Sequence, residues 1–219
     1  MKKIVSALMA FMAIGGCLGA ATVANASVIT YQSRFSDAGN FASGAEYKSA
    51  IDGLLTTGAT AGYCDRNVGV FADINNQMLC RNGSDSNIAF HYNIAFGLAA
   101  TNSWSFRLGP DFSKGGAVFL DGQLVASKND DLWWFGDFNA KDELLEATVT
   151  NLLAGNHVLD IYGFDSCCDG EQSAQFRVGA GQWTTFSRQD KQNHVPEPAS
   201  LALVGAAAIG LRASRRLWV

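Results

Sequence analysis

The stretch that decides the fold runs from Ala117 to Val178: AVFLDGQLVASKNDDLWWFGDFNAKDELLEATVTNLLAGNHVLDIYGFDSCCDGEQSAQFRV. Val118-Phe119-Leu120 and Gln123-Leu124-Val125 flank Asp121-Gly122. A D-G pair between apolar strands predicts a two-residue hairpin, since both turn positions tolerate positive φ. Leu144 to Thr150 and His157 to Phe164 read as a second strand pair around Ala154-Gly155-Asn156. Phe176–Val178 and Trp183–Phe186 close the sheet across Gly179-Ala180-Gly181.

The upstream chain supplies the rest of the same layers. Val28 to Phe35 predicts a first strand. From Asn87 to Leu98, Ile88, Phe90, Tyr92, Ile94, Phe96 and Leu98 alternate with Ala89, His91, Asn93, Ala95 and Gly97. This period of two assigns the first set to the core and His91 to the other face. Trp104, Phe106 and Leu108 repeat the pattern. Ser43 with Glu46 forms a capping-box pattern, and Tyr47, Ile51, Leu54 and Leu55 follow at helical spacing, so a short helix is predicted there. The prediction is an all-β chain folded as an antiparallel β-sandwich with one short helix near its N-terminus.

Charge narrows the partners. The chain has 16 basic residues, 20 acidic ones and a formal charge of −4. Lys2, Lys3, Arg212, Arg215 and Arg216 lie in the terminal segments, leaving 11 basic residues to set against the 20 acidic ones. An acidic body excludes nucleic acid and anionic membrane as partners for the domain.

Both ends read as addresses. Lys2-Lys3, an apolar run and Ala24-Asn25-Ala26 make a secretory signal peptide over 1–26, cleaved after Ala26. Ile14-Gly15-Gly16-Cys17 is a rival lipoprotein reading, disfavoured because the apolar run continues past Cys17. The domain proper spans 27–188, and a polar linker covers 189–195. The segment 196–219 opens with Pro196-Glu197-Pro198 and continues with the apolar run Ala199 to Leu211 and three arginines. The basic tail stays in the cytoplasm and leaves the domain outside. The run is shorter than the ~20 residues of a permanent span.

The C-terminal segment resembles the PEP-CTERM sorting signal. That resemblance implies recognition of Pro196-Glu197-Pro198 by exosortase, a membrane cysteine protease, with a transient transmembrane anchor in the inner membrane. Cys167-Cys168-Asp169-Gly170 fits the CCXG group of such proteins, a name that carries no activity. The central region resembles the lectin-like sandwich of the anthrax protective-antigen N-terminal domain, the yeast flocculins and the fungal adhesins. The matching pieces are Phe119 to Val125, Thr148 to His157, and Ile161-Tyr162. In that fold they form a D-G hairpin and a strand pair joined at a turn ending in Gly-x-His.

Four cysteines remain after the signal peptide: Cys64, Cys80, Cys167 and Cys168. In an exported domain they predict two disulfides. Three connectivities are open. The preferred one joins Cys167 and Cys168 to Cys64 and Cys80, because bridging neighbours closes a strained eight-membered ring. Asp130, Asp131, Asp165 and Asp169 are candidate oxygen ligands for Ca²⁺. Trp133 and Trp134 are candidates for stacking on a sugar ring. In the flocculin-like lectins an Asp-Asp pair binds Ca²⁺ and through it sugar hydroxyls, a role the resemblance suggests for Asp130-Asp131. The plainer reading is a solvated acidic loop over packed tryptophans. No G-x-S-x-G, H-E-x-x-H or P-loop occurs, so no catalytic residue is assigned. The expected protein is a non-catalytic one, routed by exosortase to the cell surface or extracellular matrix, binding polysaccharide with calcium. Its alternatives are a purely structural surface protein and a glycoside hydrolase.

Overall fold

The structure, a computed structural model, describes residues 26–190. Ala24, the sorting motif Pro196, Glu197 and Pro198, and the apolar run after it lie outside the described residues. Among the described residues no helix is long and apolar enough to cross a membrane.

Two antiparallel sheets face each other. The larger contains β1 (Val28–Phe35), β2 (Asp65–Val68), β3 (Ser86–Leu98), β6 (Gly116–Leu120), β7 (Gln123–Lys128) and β10 (Gly155–Cys167), in the order β2-β1-β3-β10-β6-β7. The smaller contains β4 (Asn102–Gly109), β9 (Leu145–Leu152), β11 (Ser173–Val178) and β12 (Thr184–Thr185), in the order β12-β11-β4-β9. A ribbon of β5 (Asp111–Phe112) and β8 (Leu132–Trp133) sits at one end.

The core lies between the sheets. Ile88, Phe90, Tyr92, Ile94, Phe96 and Leu98 of β3 meet Trp104, Phe106 and Leu108 of β4, all buried as the alternation predicts. The other face of the large sheet carries helix α1 (Gly44–Leu55). Tyr47 and Ile51 there cover Ala89, Ala117, Phe119, Tyr162 and Phe164 in a second, smaller core. The capping box forms in full: Ser43 Oγ accepts from the Glu46 N–H, and Glu46 Oε2 accepts from the Ser43 N–H. On the same face His91 is packed rather than solvated. Its ring stacks on Tyr162 at 4.7 Å and bonds Gln32 and Asp160.

The D-G hairpin is confirmed, with φ of 49° at Asp121 and 77° at Gly122. Asp121 does more than turn the chain. Its carboxylate accepts from the Val158 N–H at 2.9 Å and meets His157 Nδ1 at 2.7 Å, while His157 Nε2 meets the Leu153 carbonyl oxygen at 2.9 Å. One residue thus ties the hairpin to the Gly-x-His turn.

Two expectations are corrected. The strands around Ala154-Gly155 do not pair with each other: β9 pairs with β4, and β10 pairs with β3 and β6. Asn151 and Gly155, both at positive φ, swing the chain from one sheet to the other. Apolar alternation identifies strands, and their partners depend on this corner. The disulfides also differ, joining Cys64 to Cys80 and Cys167 to Cys168. Cys64 sits beside β1, where its carbonyl accepts from the Ser33 N–H, and Cys80 ends the short helix α2 (Asn76–Leu79). Their Cα atoms lie 5.5 Å apart, a distance a disulfide spans without distortion. That leaves Cys167 its neighbour as partner.

The body continues to Asp190. Its buried carboxylate accepts from the backbone N–H groups of Ser27, at 2.8 Å, and Ser187, at 2.9 Å. The two ends of the domain are therefore joined.

Candidate functional site

The β5–β8 ribbon, the Cys167–Gly170 loop and the loop before α2 converge at one end of the sandwich. In β8, Leu132 points into the core and Trp133 outward. Trp133 and Phe135 are each 65% exposed, and their rings stand 6.2 Å apart. They border an open pocket of about 280 Å³ completed by Asp73, Trp134, Gly136, Gly170 and Glu171. Large aromatic faces left in water beside carboxylates suit a sugar, which offers apolar ring faces and hydroxyls together.

Trp134 cannot serve as a stacking face. It is 6% exposed, packs on Phe138 at 4.8 Å, and lies so close over Gly109 that an added Cβ would strike its ring at 2.2 Å. The stacking partner of Trp133 is Phe135, which sequence reasoning passed over. Period-two alternation from Trp133 carried the signal.

The four predicted acids divide. Asp130 and Asp131 are exposed, whereas Asp165 and Asp169 are buried. Asp169 spends both oxygens on α2: Oδ1 accepts from the Asn76 N–H at 2.9 Å and Oδ2 from the Gln77 N–H at 2.6 Å. Asp165 Oδ1 accepts from the Ser113 N–H at 3.3 Å, and its Oδ2 is buried without a partner among the described residues. A third buried acid, Asp111, was missed. Its Oδ2 accepts from the Gly170 N–H, and a Cβ on Gly170 would stand 2.7 Å from that oxygen. The Cys-Cys-Asp-Gly motif therefore has a structural role at every position. The cysteines bond each other, the Cys168 N–H donates to the Asp85 carbonyl at 2.6 Å, Asp169 holds α2, and Gly170 admits Asp111.

Burial shifts these carboxyls. Asp111 is pushed up to about 6, first by desolvation against the pull of the Gly170 N–H, then by the charges of Asp165, Asp169 and Asp131. Asp169 is likewise pushed up to about 6 by burial, against two backbone donors, with Asp165 and Asp85 adding repulsion. Burial also raises Asp165.

The unpartnered Asp165 oxygen and the like charges around it would welcome a cation. The geometry of a calcium cage is absent: among the described residues no three His, Cys, Asp or Glu side chains are grouped to hold a metal. Asp169 has no oxygen to offer while it holds α2.

Comparison with known proteins agrees with the fold and with the C-terminal address. Residues 194–216 match the PEP-CTERM protein-sorting motif. No characterised protein matches in sequence. Among solved structures, the PA14 sugar-binding domain of an RTX adhesin superposes with a TM-score of 0.51. It is 15% identical, and the alignment covers 75% of this chain and 97% of that one. The PA14 domain of the MpAFP antifreeze protein gives 0.47 at 9% identity, covering 78% and 95%. The epithelial adhesin 9 A domain of Candida glabrata, solved with Galb1-4GlcNAc, gives 0.44 at 8%, covering 76% and 92%. At such identities the likeness is one of fold alone. The chain carries a PEP-CTERM protein-sorting motif, and its body has the lectin-like β-sandwich fold of PA14 domains.

Proposed function

We propose that this is an exported, exosortase-sorted surface or matrix protein that binds extracellular polysaccharide at the Trp133–Phe135 end of its sandwich. The exposed aromatic pair beside Asp73 and Glu171 carries the reading. Neither ring contributes to the core, so their exposure has no folding purpose. Trp133→Ala is expected to lower affinity for the bound polysaccharide at least about tenfold, the scale of one lost aromatic contact. Its melting temperature should stay within about 2 °C of the parent, since the side chain is exposed. Glycan-array or calorimetric binding reads the first and thermal unfolding the second; unchanged binding would return the protein to a purely structural role.

No step of this binding is routed through calcium. Calcium is carried in the proposal only as a counter-charge for the buried acids, to be read by stability. A hydrolase reading gains little from the carboxyls near 6. Asp111 and Asp169 are 6% and 2% exposed and hold backbone groups, so no glycosidic oxygen reaches them.

Sorting has its own test. Cleavage after Ala26 would make Ser27 the new amino terminus, and its nitrogen already lies 2.8 Å from Asp190. The freed ammonium would face a buried carboxylate, a charge-assisted bond closing both ends of the domain. Exosortase would then cut near Pro196–Pro198 and free the domain from its transient anchor. Intact-mass spectrometry of native material is expected to show loss of 1–26 and of Arg212 to Val219. A mass that keeps the arginine tail would mean a permanent anchor.

A further inference from the structure

The outer face of the small sheet holds a second constellation. Its strands put Arg107 opposite Glu146 and Gln175, and Ser105 opposite Thr148 and Arg177. Arg107 is clasped between two rings, 4.2 Å from Phe138 and 4.3 Å from Trp183. Arg177 stands 4.6 Å from the same Trp183 ring. Two guanidiniums thus share one indole.

Their charge is answered only in part from within the domain. Arg107 Nε and Nη2 donate to Gln175 Oε1, a neutral acceptor, at 2.9 and 2.6 Å. Arg177 Nε is enclosed and has no partner among the described residues. Glu146, the carboxylate opposite Arg107, is engaged by Lys141 at 2.7 Å. Among the described residues neither arginine forms an ion pair. Burial and the charge of Arg177 both depress the Arg107 guanidinium, with Glu146 opposing. A paired cationic face on an otherwise acidic protein, with an idle donor, lacks an anion.

The space for one is present. An open hollow of about 350 Å³ lies there, lined by Lys141, Glu146, Thr148, Arg177 and Trp183. It has the size of a small-ligand site and offers hydroxyl, carboxylate and aromatic surface beside the cations. We propose that this hollow is a second ligand site, taking an acidic saccharide whose carboxylate pairs with Arg177 beside Arg107. Glu146 and Thr148 are placed to meet ring hydroxyls. The inference is independent of the Trp133–Phe135 reading, since it rests on other residues.

The test titrates the purified protein with trigalacturonate, the neutral trisaccharide maltotriose, and sodium sulfate. Trigalacturonate is expected to bind, with affinity falling as salt rises, and the other two to bind at least tenfold more weakly. Arg177→Gln should reduce trigalacturonate binding at least tenfold, while Arg66→Gln, at an exposed arginine on β2 of the other sheet, leaves it unchanged. Arg177→Lys, which keeps the charge and loses the fork, should reduce binding by an intermediate factor and serves if the glutamine variant fails to fold. Absence of trigalacturonate binding, equal binding of sulfate or maltotriose, or full binding by the Arg177 variants would overturn the proposal. An equal loss of trigalacturonate binding in Arg66→Gln would mean general charge attraction rather than this hollow and overturn it equally.

Discussion

Asn76→Ala is expected to destabilise the domain by about 4 kcal/mol, lowering the melting temperature by roughly 10 °C. Asn76 is wholly buried and uses every polar atom of its side chain. Its Oδ1 accepts from Tyr31 Oη at 2.8 Å and Ser33 Oγ at 2.7 Å, and its Nδ2 donates to the carbonyls of Gly62 and Ser84, each at 2.8 Å. Alanine would strand two hydroxyls and two carbonyls at once, and buried groups left unpaired cost more than the bonds they made. The damage should spread to the pocket end. Ser33 Oγ also receives the Cys64 N–H at 3.0 Å, and the Asn76 N–H is one of the two that Asp169 holds. Asn76→Asp is no rescue, because it keeps the acceptor, loses the donors and buries a charge. Chemical denaturation reads the loss. A change below about 1 kcal/mol would mean that this network is not what joins β1, α2 and the cysteine loop.

Much of this architecture is legible in the sequence because one-dimensional rules govern it. The alternation in β3 names its core face, Ser43 and Glu46 name a helix start, and Asp121-Gly122 names a turn. Each of these is decided within a few residues. What escaped reading is decided across the fold. Leu145–Leu152 and Gly155–Cys167 have the texture of a hairpin, yet the corner between them crosses from sheet to sheet. Cys64 and Cys80 find each other because α2 and β1 bring them together, a packing that the spacing of cysteines does not encode.

The site shows the same division. Trp133 could be found as an exposed aromatic, but only the close approach of Gly109 shows that Trp134 is spent as packing. Asp165 and Asp169 bracket a loop and resemble ligands on paper. In the fold Asp169 acts as a helix anchor, and Asp165 is partly engaged by the Ser113 N–H. Asp111 was invisible because its partner, Gly170, lies 59 residues away.

The buried acids predict an inverted pH profile. Asp111 and Asp169 stand near 6 in the fold against 3.8 when free. A carboxyl raised on folding lends stability that is fully present below 3.8 and is lost as pH climbs through about 6. At about 1.4 kcal/mol per pKa unit, the two together withdraw roughly 6 kcal/mol by neutral pH, about half of it already by about pH 5. Two other acids work the opposite way. Asp65 is held low by hydrogen bonding to Arg34, and Asp160 by His91 and Asn93 against its own burial. Their contribution is lost as pH falls below the free carboxyl value. The melting temperature should therefore peak at about pH 4 and be roughly 8 °C lower at about pH 7.5 than at about pH 5. Asp111→Asn keeps an acceptor for Gly170 without the charge. It should raise the melting temperature at about pH 7.5, raise it about half as much at about pH 5, and flatten the profile. Millimolar calcium, acting as counter-charge, should mimic the substitution at the higher pH and do nothing at the lower, where protons already neutralise the acids. A profile that rises from pH 5 to pH 7.5 in the parent would sink this account. A flat calcium response at both pH values would leave protonation as the sole relief of the cluster and remove calcium from the protein's function.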